Sequence, residues 1–85
     1  MRRKFIVGNW KMHKGPADAD SLADALKRGL AGRDAAVDVG VAPPFLSLPA
    51  VVARLKHTGI IVAGQNVHPE VQGAYTGEIS AEMLR

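Results

Sequence analysis

Residues able to do chemistry gather in this chain at the ends of short apolar runs. The first such place is "GNWKMHKG", Gly8 to Gly15, directly after "FIV". Turns are usually built from Gly, Pro, Asn, Asp and Ser, each for a backbone reason. Trp10, Lys11 and Met12 supply none of those reasons. A lysine at the mouth of a strand can meet an anionic substrate, or offset negative charge that develops in a transition state. Asn9 could orient that ammonium group or donate to a carbonyl. Gln65 and Asn66 follow the third apolar run in the same way. The plain alternatives are a surface lysine, a turn asparagine and a glutamine that satisfies loop backbone.

Such side chains need elements to hold them. "KFIVGN" (4–9), "VDVGVA" (37–42) and "GIIVAGQ" (59–65) read as short buried strands. Between the first two, "DADSLADALKRGLAG" (18–32) reads as a helix. Its Leu22, Leu26 and Leu30 share a face, with Ala19 and Ala23 beside them. Acids lead and bases follow, which suits the helix dipole, and Gly29 or Gly32 can end it. "SLPAVVARLKH" (47–57) reads as a second helix, with Ser47 as N-cap and Pro49 in the first turn. Leu48, Val52 and Leu55 would share its buried face. Lys56 and His57 would close its last turn, with Gly59 as the stop. A third helix begins at Ser80.

Strands alternating with helices imply parallel pairing and right-handed crossovers. Ligands of such sheets bind beyond the carboxyl ends of the strands, where Asn9, Lys11, Gln65 and Asn66 lie. Side chains alternate along a strand. Phe5, Val7, Asn9 and Lys11 are therefore expected on one face if the strand stays regular, and Ile61, Ala63 and Gln65 on one face of the third. Trp10 and Met12 would face the other way, towards a helix or a partner chain.

The bulk numbers narrow the classes. Of 85 residues, 47% are hydrophobic and 22% charged, so one small globular domain over residues 1–85 is expected, with no second domain. The apolar runs are far shorter than the roughly 18 residues of a membrane span. "MRRKFIVGNW" has a basic start, but its apolar stretch is too short for a cleavable leader, so a cytoplasmic location is expected. Without cysteine there is neither a disulfide framework nor a thiolate metal site. His13, His57 and His68 are too scattered for a metal cluster. The net charge of +3 comes from dispersed bases, with one cluster, "RRK", expected to be a solvated end. Aromatics are too few to stack bases, so nucleic acid is not an expected partner. Neither G-x-G-x-x-G nor G-x-x-x-x-G-K-[ST] is present.

"FIVGNWKM", then "APPF", then "GQNV…GAYTGEIS" together resemble triosephosphate isomerase, in order along the chain from Phe5 to Arg85. The resemblance implies an α/β fold of the (β/α)₈ TIM barrel family. Only the first three parallel strands, two helices and the start of a third helix would lie here. It implies a cofactor-free isomerase that interconverts dihydroxyacetone phosphate and glyceraldehyde 3-phosphate. Asn9 and Lys11 then match substrate-binding positions, with Lys11 catalytic through its charge, and Gln65 matches a residue that supports the site. The loop from Asn66 to Ile79 matches one that projects into a second subunit, which implies a homodimer. Tyr75, Thr76 and Gly77 would lie at its tip, and Trp10 and Met12 near the same interface.

A complete barrel of this class needs eight strands and about 250 residues. The histidine and glutamate that perform the family's proton transfers follow the fourth and sixth strands. None of His13, His57, His68, Glu70, Glu78 and Glu82 matches them. The resemblance therefore implies that these 85 residues alone do not catalyse the reaction. The alternative is a non-catalytic (βα)₃ module that self-associates or binds another protein through its loop. Without the rest of a barrel, Phe5, Val7, Ile61, Ala63, Val39 and Val41 would be expected to lose their cover.

Overall fold

The computed structural model describes residues 2–85. Strand β1 (Lys4–Asn9) pairs in parallel with β2 (Val37–Ala42), and β2 pairs in parallel with β3 (Ile61–Val62). The sheet has the order β1-β2-β3 and is not closed. Helix α1 (Pro16–Gly29) connects the first two strands. A 3₁₀ turn (Phe45–Ser47) leads into α2 (Leu48–Leu55), and α3 (Ala81–Leu84) follows the long loop after β3. This is the expected beginning of a (β/α)₈ barrel.

Register decides which residues face the helices. Ile6 pairs with Val39, and Gly8 with Val41, which pairs in turn with Val62. Val7 pairs with Gly40, which pairs with Ile61. Partners in a ladder share a face, so Phe5, Val7, Asn9, Asp38, Gly40, Ala42 and Ile61 line the side away from the helices. This corrects one expectation. Val39 and Val41 lie on the helix side, and Val41 is only 4% exposed in the core. Phe5, Val7 and Ile61 are open, as expected. Gly40 takes the place in the open column, with the Phe5 ring across it: an added Cβ would meet Phe5 Cε1 and Cζ at 3.2 Å.

The core is Ala19, Ala23, Val41, Val51, Leu55 and Ile60, with Trp10, Leu26, Leu30 and Val62 packed against it. Small residues let α1 sit close. Ala19 and Ala23 are wholly buried, while Leu22, Leu26 and Leu30 are half-buried around them. On α2 the expected face is split. Val51 and Leu55 point into the core, whereas Val52 is 51% exposed and Leu48 is half-buried. Two ion pairs lace the outer surfaces together: Arg54 reaches Asp20 at 2.8 Å and Asp24 at 3.5 Å.

Helix ends differ from the sequence expectation for local reasons. Pro16 opens α1 two residues early, because its fixed φ and missing N–H suit the first turn. Leu30 caps α1 after Gly29, and Gly32, at φ +79°, turns the chain. Helix α2 stops at Leu55, before Lys56 and His57. Thr58 ends it: its hydroxyl donates to the Leu55 carbonyl at 2.6 Å and accepts from Ile60 N–H at 3.1 Å. Ser47 stands at the N-cap position of α2 but makes no capping bond. Strand β3 is shorter than the seven-residue run 59–65, with one further ladder bond from Ala63 N–H to the Val41 carbonyl at 3.0 Å. The basic N-terminal cluster is not wholly solvated either: Arg3 makes a two-pronged ion pair with Asp38 at 2.9 and 3.1 Å.

Candidate functional site

The site begins where β1 ends. The strand stops at Asn9, so alternation does not reach Lys11. The lysine lies instead in a turn, at φ +55°, a region that non-glycine residues seldom enter. Left-handed backbone costs an L-residue roughly 1–2 kcal/mol. Two side chains meet that cost. Asn9 Oδ1 accepts the Lys11 N–H at 2.9 Å. Gln65 Nε2 donates to the Lys11 carbonyl at 2.8 Å. At about 0.5–1.5 kcal/mol net for each bond, the pair is enough to hold the turn.

Gln65 does more than hold Lys11. Its Nε2 also donates to the Ala42 carbonyl at 2.8 Å. The same carbonyl accepts the Trp10 N–H at 3.1 Å. One amide group from the end of the β3 segment thus ties together the mouths of β1 and β2. Asn9, Lys11 and Gln65, picked from sequence by type and position, converge at this point.

Farther along the turn, Lys14 is also left-handed, at φ +73°. Its carbonyl accepts the hydroxyl of the fully buried Ser47 at 2.6 Å. Ser47 therefore anchors the β1–α1 loop to α2, in place of the capping role expected of it. Sequence reasoning missed Ala42 and Ser47 as parts of the site. Ala42 was findable only by giving the alternating valines of β2 to the helix side, which puts Ala42 on the face of Asn9. Ser47 was not, because its partner is 33 residues away.

The charge at the site is unbalanced. Among the described residues, ion pairs involve Arg3, Arg28 and Arg54 with Asp38, Asp24 and Asp20, and none involves Lys11. Lys11, His13 and Lys14 are all exposed in one short loop. Such a strand mouth can receive an anion. No group of three or more His, Asp or Glu among the described residues is placed to hold a metal ion.

Trp10 and Met12 part company. Trp10 is half-buried against the core of its own chain, its indole Nε1 lying over Gly8. Met12 is 93% exposed. After β3, the loop over residues 66–79 folds back on itself: His68 N–H donates to the Ile79 carbonyl at 2.7 Å, and Glu78 N–H to the Tyr75 carbonyl at 3.0 Å. Tyr75, Thr76 and Gly77 are exposed at its tip.

A wide hollow lies elsewhere. A groove of about 760 Å³ runs between α2, β3 and α3, walled by Leu48, Val52, Val62, Met83 and Leu84. Gln65 is on its rim; Asn9 and Lys11 are outside it. Its walls are mostly apolar, with Gln65, Asn66 and Arg85 also lining it. No helix among the described residues is long and apolar enough to cross a membrane.

Comparison with known proteins bears on the whole segment. The family model described as Triosephosphate isomerase matches residues 4–85. A triosephosphate isomerase of Syntrophotalea carbinolica is 51% identical over 85 residues, covering 100% of this chain and 33% of that protein. One of Chlorobium luteolum is 46% identical over 85 residues, covering 100% of this chain and 34% of that protein. One of Acetivibrio thermocellus is 51% identical, covering 99% of this chain and 33% of that protein. The chain spans about a third of the length of the curated relatives it matches. Three parallel strands with their helices, a polar cluster at the strand mouths and a family match over nearly every residue lead to one conclusion: the chain belongs to the triosephosphate isomerase family.

Proposed function

We propose that these residues form the charge-bearing side of a triosephosphate isomerase site, which interconverts dihydroxyacetone phosphate and glyceraldehyde 3-phosphate once a barrel is complete. The observation that supports this most is the grip on Lys11. Asn9 and Gln65 hold its backbone in a costly turn at the mouth of three strands. Such a hold has a purpose if the ammonium group must stay near a fixed point. Removing a proton next to a carbonyl leaves an enediolate, and the substrate also carries a phosphate. A cation at about 4 Å, with an effective dielectric constant near 20, contributes about 4 kcal/mol towards such a charge. Asn9 would bind substrate beside Lys11, and Gln65 would support both. No cofactor is needed, and a cytoplasmic location belongs to the same reading.

These 85 residues alone are not expected to turn substrate over. General acid–base steps contribute about 10²–10⁴-fold each, and the family's proton-transferring histidine and glutamate have no match here. The loop over residues 66–79 would pair two subunits through Tyr75, Thr76 and Gly77, with Trp10 and Met12 near the contact. Of the latter two, Met12 is the better placed, since Trp10 is already engaged with its own core.

The test joins this chain to the remaining two thirds of a relative. Lys11→Met in that barrel should lower kcat/KM by roughly 10²–10³-fold, by analogy with the loss of one oxyanion donor. Circular dichroism and the melting temperature should hardly change. Asn9→Ala and Gln65→Ala should cost less, because each acts partly through Lys11. Near-normal kcat/KM in Lys11→Met would show that Lys11 is not at the substrate.

A further inference from the structure

The loop after β3 contains an arrangement that isomerisation does not use. Two neighbours lie against the Tyr75 ring. One is the His68 imidazole, with ring centroids 4.0 Å apart and planes inclined by 32°. The second is Gly73, at φ +147°, where an added Cβ would fall 2.7 Å from Tyr75 Cε2. The His68 ring is oriented in turn, because Nδ1 accepts a hydrogen bond from Glu70 N–H at 3.1 Å. Beneath these groups is a small hollow of about 110 Å³.

We propose that His68 is an acid-sensitive latch: the neutral imidazole keeps the loop closed on Tyr75, and protonation releases it. The Glu70 amide needs a lone pair on Nδ1. In an imidazolium both ring nitrogens carry hydrogen, so Nδ1 turns from acceptor to donor and faces another donor. The charged groups that line the same hollow are Glu70 and Glu78. From α3 only the uncharged Met83 lines it, and the other titratable group there is Tyr75 itself. The two carboxylates attract the new charge and give the ring a partner to turn towards. Attraction between a cation and the tyrosine face works the other way. Against it stand the lost amide bond and the pull of the two carboxylates, which the ring can approach only by leaving its present plane. Released, Tyr75 loses the His68 ring against it, and the tip from Ala74 to Gly77 loses its shape. The latch stands on the loop's own geometry. Only its effect on assembly rests on the reading that this loop joins two subunits; there, acid would weaken pairing.

The test follows His68, Tyr75 and Glu70 by NMR between about pH 8 and about pH 5, the range in which histidine ordinarily changes charge. Two samples are used: the chain at low concentration and a complete barrel that carries it. Acid should abolish the ring-to-ring contacts of His68 with Tyr75 and lower the protection of the Glu70 amide severalfold. His68→Phe keeps an aromatic face but has no titrating nitrogen, so its loop should not respond over this range. Persistent His68–Tyr75 contacts and a protected Glu70 amide, with the imidazole visibly protonated, would overturn the latch. So would an acid response that survives in His68→Phe. If the latch opens but the dimer dissociation constant of the complete protein does not move, the latch stands and the loop's role in pairing falls.

Discussion

The two faces of this sheet could hardly be treated more differently. On the helix side, Val41, Val51, Leu55 and Ile60 are almost or wholly out of water, with Ala19 and Ala23 closing the seam. On the other side Phe5, Val7 and Ile61 are each about half exposed or more. The side chains are of the same kind; what differs is cover. A helix face brings its own apolar stripe to one side of a strand, whereas the interior of a barrel is covered only by other strands. Local sequence can therefore complete the first face within 85 residues and cannot complete the second. Edge strand β1 suffers on both sides, since Ile6, on the helix face, is 62% exposed.

Truncating one residue on each face should separate the two. Leu55→Ala removes buried atoms that have nothing to replace them, and core truncations of this kind cost about 2–5 kcal/mol. Val7→Ala removes atoms that are half in water, where substitutions usually stay within about 0.5 kcal/mol. Urea titrations of both variants should show this order. Equal losses would mean that the open face is covered in solution by something else. In the complete barrel the two losses should draw closer together.

Self-association is the obvious cover. The open column and the unpaired backbone at the outer edges of β1 and β3 together make a template for further pairing. At this length even a complete core is marginal, and this one is half-exposed. The chain alone should sediment as a concentration-dependent mixture. Val7→Lys combined with Ile61→Lys should shift it towards monomer without loss of helix. A monodisperse monomer with slowly exchanging amides in all three strands would remove the premise.

Much of this architecture could be read in the sequence, and the reasons are physical. Apolar runs of β-branched residues gave the strands, and their order gave the parallel sheet. Asn9, Lys11 and Gln65, which the fold brings together, were singled out because polar residues are out of place at the ends of such runs. The reading failed where partners are remote in sequence. Val39 and Val41 were assigned to the wrong face because their alternation with Asp38 and Gly40 shows that the valines share a face, not which side the helices cover; the register to Ile6 and Gly8 fixed it. Lys11 was placed by strand alternation, but a turn held by Asn9 and Gln65 sets its position. On α2, helical spacing pointed to Leu48, Val52 and Leu55 as one face, whereas the packing against Ala19 and Ala23 gave the buried places to Val51 and Leu55.

A smaller effect is expected on the open face. Gly40→Ala would put a methyl group 3.2 Å from the Ile61 carbonyl oxygen and equally close to the Phe5 ring. Gly40 has no positive φ, so alanine brings no backbone strain and gains about 0.4–1 kcal/mol from the unfolded chain. Overpacking costs about 1–3 kcal/mol when neighbours cannot move. In the chain alone Phe5 is free to swing away, leaving only the ladder carbonyl to be accommodated, and the net loss should be about 1 kcal/mol or less. In a complete barrel Phe5 is confined, and the loss should grow. Thermal melts of the variant in both settings measure the difference directly, and an equal shift in each would mean that Phe5 is not what Gly40 accommodates.

The smallest expected effect lies on the outer surface, where charge rather than burial joins the elements. The bidentate Arg54 guanidinium holds the Asp20 carboxyl below the usual carboxylate range, mainly through its hydrogen bonds. Arg3 does the same for Asp38. A carboxyl whose folded pKa is lowered binds its proton less readily in the folded state than in the unfolded chain. Its contribution is therefore present above the ordinary carboxylate range near pH 4 and fades as pH falls through the lower, folded value. Both pairs are substantially exposed, so water and salt screen them and each stabilises only slightly. Asp20→Asn should thus lower the melting temperature slightly at neutral pH in dilute buffer. The difference from wild type should shrink in molar salt and again as the solution is acidified below pH 4. The exposed lysine of the site, Lys11, has no such partner, so acid in this range should leave its surroundings unaltered while it loosens the helix layer. A variant that matched wild type at neutral pH, or differed from it more in acid, would show that α1 and α2 are held by Ala19, Ala23, Val51 and Leu55 alone.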